Sequence, residues 1–202
     1  MAVLLIRHGE TALNAARVVQ FPDTPLGDYG KRQAEQLGLS LTTRRVDLVL
    51  TSDYQRARTT AETVAGHVGA SLIESTHLRE RNFGEIRGRA YSEFRDVDIF
   101  DPDYLPPGGE SWQVFNARVD MAWDEVIGHA QAIAGDLAVI THGLVLRSLL
   151  ERKLDLSDHV NESEWVVANT SVTIVDRDPP WRVLELASVE HLDEGGGDVA
   201  PV

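Results

Sequence analysis

The chain has 202 residues, 43% of them apolar and 25% charged, which allows a sizeable buried core and reads most economically as one globular domain. A formal net charge of −13 argues against general affinity for nucleic acid or anionic membranes, since both need a basic face, but leaves small anionic ligands open. There is no cysteine, so disulfides, thiolate nucleophiles and cysteine metal sites are excluded.

In chain order, residues 3–6 form an apolar run that starts almost at once and reads as a buried strand ending at Arg7-His8-Gly9-Glu10. The early charge at Arg7 leaves no room for a signal-peptide core, and no run approaches the roughly 18 apolar residues of a membrane span. A cytoplasmic protein is expected, so Asn161-Glu162-Ser163 and Asn169-Thr170-Ser171 are read as chance matches to the glycosylation pattern. After a loop through Pro22 and Pro25, Gly27-Asp28 caps a helix with Ala34, Leu37 and Leu41 at helical spacing. Residues 47–51 read as a short buried strand, Ser52-Asp53 as the cap of a helix carrying Ala57, Ala61, Val64 and Val68, and residues 71–74 as a third strand. Alternating strand and helix implies parallel strands joined by crossover helices.

Residues 82–110 break this rhythm with glycines, prolines, charges and the aromatics Phe83, Tyr91, Phe94, Phe100 and Tyr104. So long an irregular stretch inside a compact domain reads as a lid over a site. Ser111 caps a long helix with Phe115, Val119, Ala122, Val126, Ala130 and Ile133 on one face; residues 137–141 form a fourth strand and 144–154 a further helix. Residues 171–176 and 182–187 read as two strands joined at Asp178-Pro179-Pro180, an antiparallel pair at a sheet edge. The glycine-rich, acidic residues 193–202 read as a flexible tail after a domain spanning residues 1–192.

His8 and His142 each follow a buried strand, so both belong at the carboxyl ends of strands, where open α/β sheets place their chemistry. A neutral imidazole is a good nitrogen nucleophile, and a guanidinium beside it binds oxyanions in a fork, which suits attack on phosphorus. Phosphoryl transfer needs several positive or hydrogen-bonding groups around the equatorial oxygens; Arg7, His142 and an arginine from residues 52–60 supply them without a metal. The leaving oxygen also needs a proton, and Glu80, just beyond the third strand, is the favoured donor, with Glu85 and Glu110 as rivals. A metal site built from His8, Glu10 and His142 lacks the fitting motifs, and no nucleophile elbow of a serine hydrolase occurs.

Leu5-Ile6-Arg7-His8-Gly9-Glu10-Thr11 with Asn14 resembles the signature of the histidine phosphatase superfamily, also called the phosphoglycerate mutase-like family. The resemblance continues in order through Asp23-Thr24-Pro25-Leu26, Gly30, Gln33-Ala34, Ser52-Asp53-Tyr54-Gln55-Arg56-Ala57 with Thr60, and Leu78-Arg79-Glu80-Arg81-Asn82-Phe83-Gly84. It ends with Pro107-Gly108-Gly109-Glu110-Ser111 and Val139-Ile140-Thr141-His142-Gly143. It implies a three-layer αβα sandwich with a mainly parallel sheet, with His8 as the phosphorylated nucleophile and Glu80 as the proton donor. It further implies a phosphate pocket of Arg7, Arg56 and His142, assisted by Asn14 and the backbone near Gly143; Arg56 is favoured over Arg58 by its place in the motif. Gln20 is a substrate contact or a plain loop residue. Two departures from the family pattern stand out. Gly27 replaces the hydroxyl residue that often caps the helix, and Glu85-Ile86-Arg87-Gly88 replaces an ending in which an aromatic and a glutamate precede the glycine.

The cofactor-dependent mutases of the family carry a longer, more basic lid, whereas residues 84–110 hold only Arg87, Arg89 and Arg95 as basic residues. The expectation is therefore a metal-independent, cofactor-free phosphatase acting on a small phosphorylated metabolite, with mutase-type phosphotransfer as the alternative and an idle phospholigand-binding module behind it. No nucleic-acid or membrane partner is expected, and a homodimer is compatible with a sequence that does not fix the oligomeric state.

Overall fold

In the computed structural model, which describes residues 1–159 and 166–192, one six-stranded sheet has the order β3-β2-β4-β1-β5-β6. The strands are β1 (Ala2–Arg7), β2 (Val46–Ser52), β3 (Ser71–Ser75), β4 (Asp136–Thr141), β5 (Val172–Asp176) and β6 (Val183–Ser188). The first four are mutually parallel; β5 runs antiparallel to β1, and β6 to β5, so the carboxyl-terminal hairpin forms the expected antiparallel edge. The proposed tail and the Asn161 motif lie outside the described residues.

The central strands β1 and β4 are buried along their whole length, because helices cover both faces. Successive side chains alternate faces. Leu4, Ile6, Ala138 and Ile140 meet Leu37 and Leu41 of α2 (Asp28–Leu41) and Ala57, Ala61 and Val64 of α3 (Gln55–Val68). Val3, Leu5, Leu137 and Val139 meet Phe115, Val119 and Trp123 of α4 (Trp112–Ala132) and Leu146 and Leu149 of α5 (Gly143–Arg152). The result is a three-layer sandwich with two cores separated by the sheet. A short helix, α1 (Ala12–Ala15), follows β1 and is closed by a capping box between Thr11 and Asn14.

One boundary differs from the sequence reading. Ser52 closes β2 and Tyr54 occupies the N-cap of α3 without a side-chain cap bond; the Ser52 hydroxyl accepts the Tyr54 N–H at 3.2 Å, and the Asp53 carboxylate is held by Arg79. Gly27, by contrast, does stand at the N-cap of α2, and its neighbour Gly30 has a steric role: a Cβ there would drive into the backbone carbonyl of Glu10. Helix α2 therefore touches the loop after β1 backbone to backbone.

Residues 82–110 form short 3-10 turns and coil laid over the carboxyl ends of the strands rather than a regular element. Its two ends are tied together by Glu85 N–H to Pro107 O at 2.9 Å and Glu110 N–H to Asn82 O at 2.8 Å. Its middle pairs with the loop after α1, through Val19 N–H to Arg89 O, Gly88 N–H to Val19 O and Tyr91 N–H to Arg17 O. Beneath it, the buried Arg81 guanidinium donates to the carbonyls of Ile99, Tyr104 and Glu110 and lies 4.2 Å from the Trp112 ring centre.

Candidate active site

The sheet register decides where the chemistry lies. Arg7 of β1 pairs with Thr141 of β4, so the next residues, His8 and His142, emerge side by side, and the His8 N–H still bonds Thr141 O at 3.0 Å. Their rings meet edge to face at 5.1 Å. Both are buried, His142 completely, and the residues lining the cleft include His8 but not His142.

The cleft floor is made by Arg7, His8, Arg56 and Glu80; its walls include Asn14, Gln20, Tyr54, Phe83 and Tyr91. His8 Nδ1 lies 2.7 Å from its neighbour's carbonyl, Gly9 O, so it carries the proton and donates there; the lone pair is left on Nε2, which accepts from Arg56 Nε at 3.2 Å. Burial, then the Arg56 and Arg7 charges, pushes the His8 imidazole well below its ordinary pKa and keeps it neutral. Gly9 N–H bonds the Thr60 hydroxyl at 3.1 Å, and Asn169 Nδ2 donates to His8 O at 2.8 Å.

His142 Nε2 lies 2.9 Å from Ser52 Oγ, whose lone pair already accepts the Tyr54 N–H. The buried hydroxyl is satisfied when it donates its own proton to Nε2, which puts the ring proton on Nδ1. That Nδ1 and Arg7 Nε are two buried polar atoms without a hydrogen-bond partner. The rest of Arg7 is held by Nη1 donating to Val167 O at 2.6 Å.

Glu80 is pinned through both oxygens, Oε1 accepting Arg81 N–H at 2.9 Å and Oε2 accepting Leu144 N–H at 3.2 Å. Burial raises its carboxyl above the ordinary value, against the lowering pull of those bonds and of Arg56 and Arg7. The amide beside Gly143 is thus engaged by Glu80, at the amino end of α5. Of the rivals, Glu110 is committed to Arg118 at 2.8 Å, which with the Asn82 N–H holds its carboxyl low, and Glu85 is exposed outside the cleft. Arg58 points away to Glu62 and Glu74.

Asn14 and Gln20 both line the cleft; Asn14 Oδ1 accepts the Thr11 N–H at 3.2 Å and Gln20 Oε1 accepts the Thr11 hydroxyl at 2.7 Å, so each amide oxygen is engaged within the loop. Sequence reasoning missed Ser52 as the partner of His142, Asn169 as a support of His8, and Arg17 at the cleft wall. Asn169 had a visible signal only as a glycosylation match; Arg17 had none. Among the described residues no group of three or more His, Asp or Glu side chains is placed to hold a metal ion, and no helix is long and apolar enough to cross a membrane.

Comparison with known proteins gives a coherent result. A family model described as "Histidine phosphatase superfamily (branch 1)" matches residues 3–188. The chain is 34% identical over 209 residues to a "Probable phosphoglycerate mutase GpmB" of Klebsiella pneumoniae, covering 96% of this chain and 95% of that one. It is 32% identical to "Phosphoglycerate mutase-like protein 4" of Arabidopsis thaliana, covering 96% and 88%. Among solved structures, Bacillus stearothermophilus YhfR superposes with a TM-score of 0.79 at 28% identity over 95% of this chain and 99% of that one. A mycobacterial glucosyl-3-phosphoglycerate phosphatase in complex with VO3 does so with 0.74 at 25% over 87% and 90%.

Proposed function

Because the chain belongs to the histidine phosphatase superfamily, we propose that it hydrolyses small phosphomonoesters without a metal ion, through a phosphohistidine on His8. The observation that carries this reading is a neutral His8 with its lone pair on Nε2, facing Arg56, in a cleft floored also by a carboxyl group of raised pKa. Nε2 attacks phosphorus, the ester P–O bond breaks, and protonated Glu80 gives its proton to the leaving oxygen. The resulting Glu80 carboxylate then takes a proton from water as that water attacks the phosphorus, the N–P bond breaks, and inorganic phosphate leaves. Arg7 Nε, without a partner in the protein and on a residue lining the cleft, is a donor for the phosphoryl oxygens, where it stabilises charge that grows in the transition state; the equally unpartnered but fully buried His142 Nδ1 joins it once a phosphoryl group is bound against His8. Arg56 Nε, now on the nucleophile, transfers to a phosphoryl oxygen as Nε2 bonds to phosphorus.

Phosphatase rather than mutase is favoured by a lid with few basic residues to retain a bisphosphorylated intermediate, so that the phosphoenzyme meets water. The phosphatase named among the structural neighbours agrees with this reading, whereas the curated relatives bear mutase names. Release of inorganic phosphate from a panel of small phosphomonoesters, with a chelator present, tests it. Turnover is expected to survive the chelator and to vanish in His8→Ala, while Glu80→Gln accumulates labelled phosphoenzyme. Undiminished activity in His8→Ala would remove the mechanism.

A further inference from the structure

We propose that Arg17 and Arg87 form a second anion subsite at the cleft mouth, which selects phosphomonoesters carrying another negative group such as a carboxylate. This rests on the phosphomonoester reading of the cleft.

Both side chains line the same cleft as His8 and Glu80, yet among the described residues neither makes an ion pair. Most arginines of this acidic chain are engaged: Arg44, Arg45, Arg58, Arg79, Arg89, Arg118, Arg147, Arg152 and Arg182 meet carboxylates, Arg7 and Arg81 meet carbonyls. The contact given for Arg87 is a long one, Nη2 to the Tyr54 hydroxyl at 3.5 Å, and Tyr54 turns its ring toward Arg56, 5.3 Å away. Arg87 is close enough to Arg56 for the two charges to oppose each other, so a positive strip runs from the phosphate floor to the lid. Arg17 reaches the opposite wall from a left-handed backbone, φ 53°, and its carbonyl accepts the N–H of Tyr91, fixing it to the lid.

Several arginines lack a carboxylate, but Arg17 and Arg87 do so inside the cleft, the arrangement an anionic ligand completes.

The test compares 3-phosphoglycerate with glycerol 3-phosphate, which differ by a carboxylate against a hydroxymethyl group. Calorimetric titration of both into the turnover-free His8→Ala protein should give tighter binding of 3-phosphoglycerate by about tenfold or more, the worth of a hydrogen-bonded charge contact. The ratio should fall toward one when Arg17→Gln and Arg87→Gln are added, and invert with Arg87→Glu. Arg17 is exposed and Arg87 half-buried with no ion pair among the described residues, so the fold survives; Arg87→Lys should restore part of the preference. An equal ratio in the parent, or one that the double change leaves untouched, overturns the subsite. Because this is a binding measurement, it stands apart from phosphate release: no release with a preserved binding ratio would sink the phosphatase and keep the subsite.

Discussion

His8 and Glu80 carry opposite perturbations of one origin. Burial favours the neutral form of each, lowering the imidazole and raising the carboxyl, which is the direction the proposed nucleophile and acid roles require. The basic limb of kcat/KM should therefore track deprotonation of Glu80, above the ordinary carboxylate range, and flatten in Glu80→Gln when pH profiles of the two proteins are compared. Stability follows the same logic with its sign set by linkage. His8 and His142 have folded pKa values below the unfolded value near 6.5, so the unfolded chain binds more protons once pH drops under that value. Stability from these groups is complete above it and falls with pH by at most about 1.4 kcal/mol per pH unit for each histidine. Glu80, raised in the folded state, works in the opposite direction and offsets part of the loss at lower pH. Urea denaturation between pH 7 and 5 should show the decline, and His142→Gln should make it shallower.

The lid depends on a single side chain more than on its own residues. Arg81 serves three carbonyls from separate stretches while stacked on Trp112, so Arg81→Ala leaves several buried acceptors unpaired and should cost about 3 kcal/mol or more by urea denaturation. Lysine cannot reproduce the planar fork, and Arg81→Lys should recover only part of that loss. Limited proteolysis should cut both variants within residues 85–107 before the wild type. This element also marks where the sequence was least legible. The buried strands announced themselves as apolar runs, and the helices by spacing and caps, because both patterns record burial on known faces. Residues 82–110 are held by carbonyls, a stray ladder with residues 17–19 and one buried guanidinium, none of which leaves a period in the sequence. Phe100, Tyr104 and Trp112 hold this segment down: Phe100 packs on Phe83 and Tyr91, and Trp112 Nε1 donates to Asp101 O at 2.8 Å.

At the scale of the whole molecule, the site draws groups from α3 and α5, which lie on opposite faces of the sheet. The two histidines were legible because strand ends must converge; the residues that aim them, Ser52 and Asn169, were not, because they approach through tertiary contacts from distant parts of the chain. Gly30 shows how tight the assembly is: Gly30→Ala would force α2 off the Glu10 carbonyl, with a loss of about 1–3 kcal/mol and a fall in activity as the His8 loop shifts. Thermal unfolding and turnover measured on the same variant check both halves of that expectation. The charge of −13 sets a further bulk property, since like charges repel in the compact state. The midpoint of thermal unfolding should rise from about 0.01 M to 0.1 M salt as the screening length shortens from about 30 to 10 Å.

The lid leaves the scaffold and rejoins it at one place, closed by the bonds between Glu85 and Pro107 and between Asn82 and Glu110. A change in length between these ties and the ladder to residues 17–19 is therefore taken up within the lid before it reaches β3 or α4. Recognition is in this sense a cartridge seated in a fixed frame: its outer residues can be exchanged for another set while the proposed phosphoryl chemistry stays where the sheet put it.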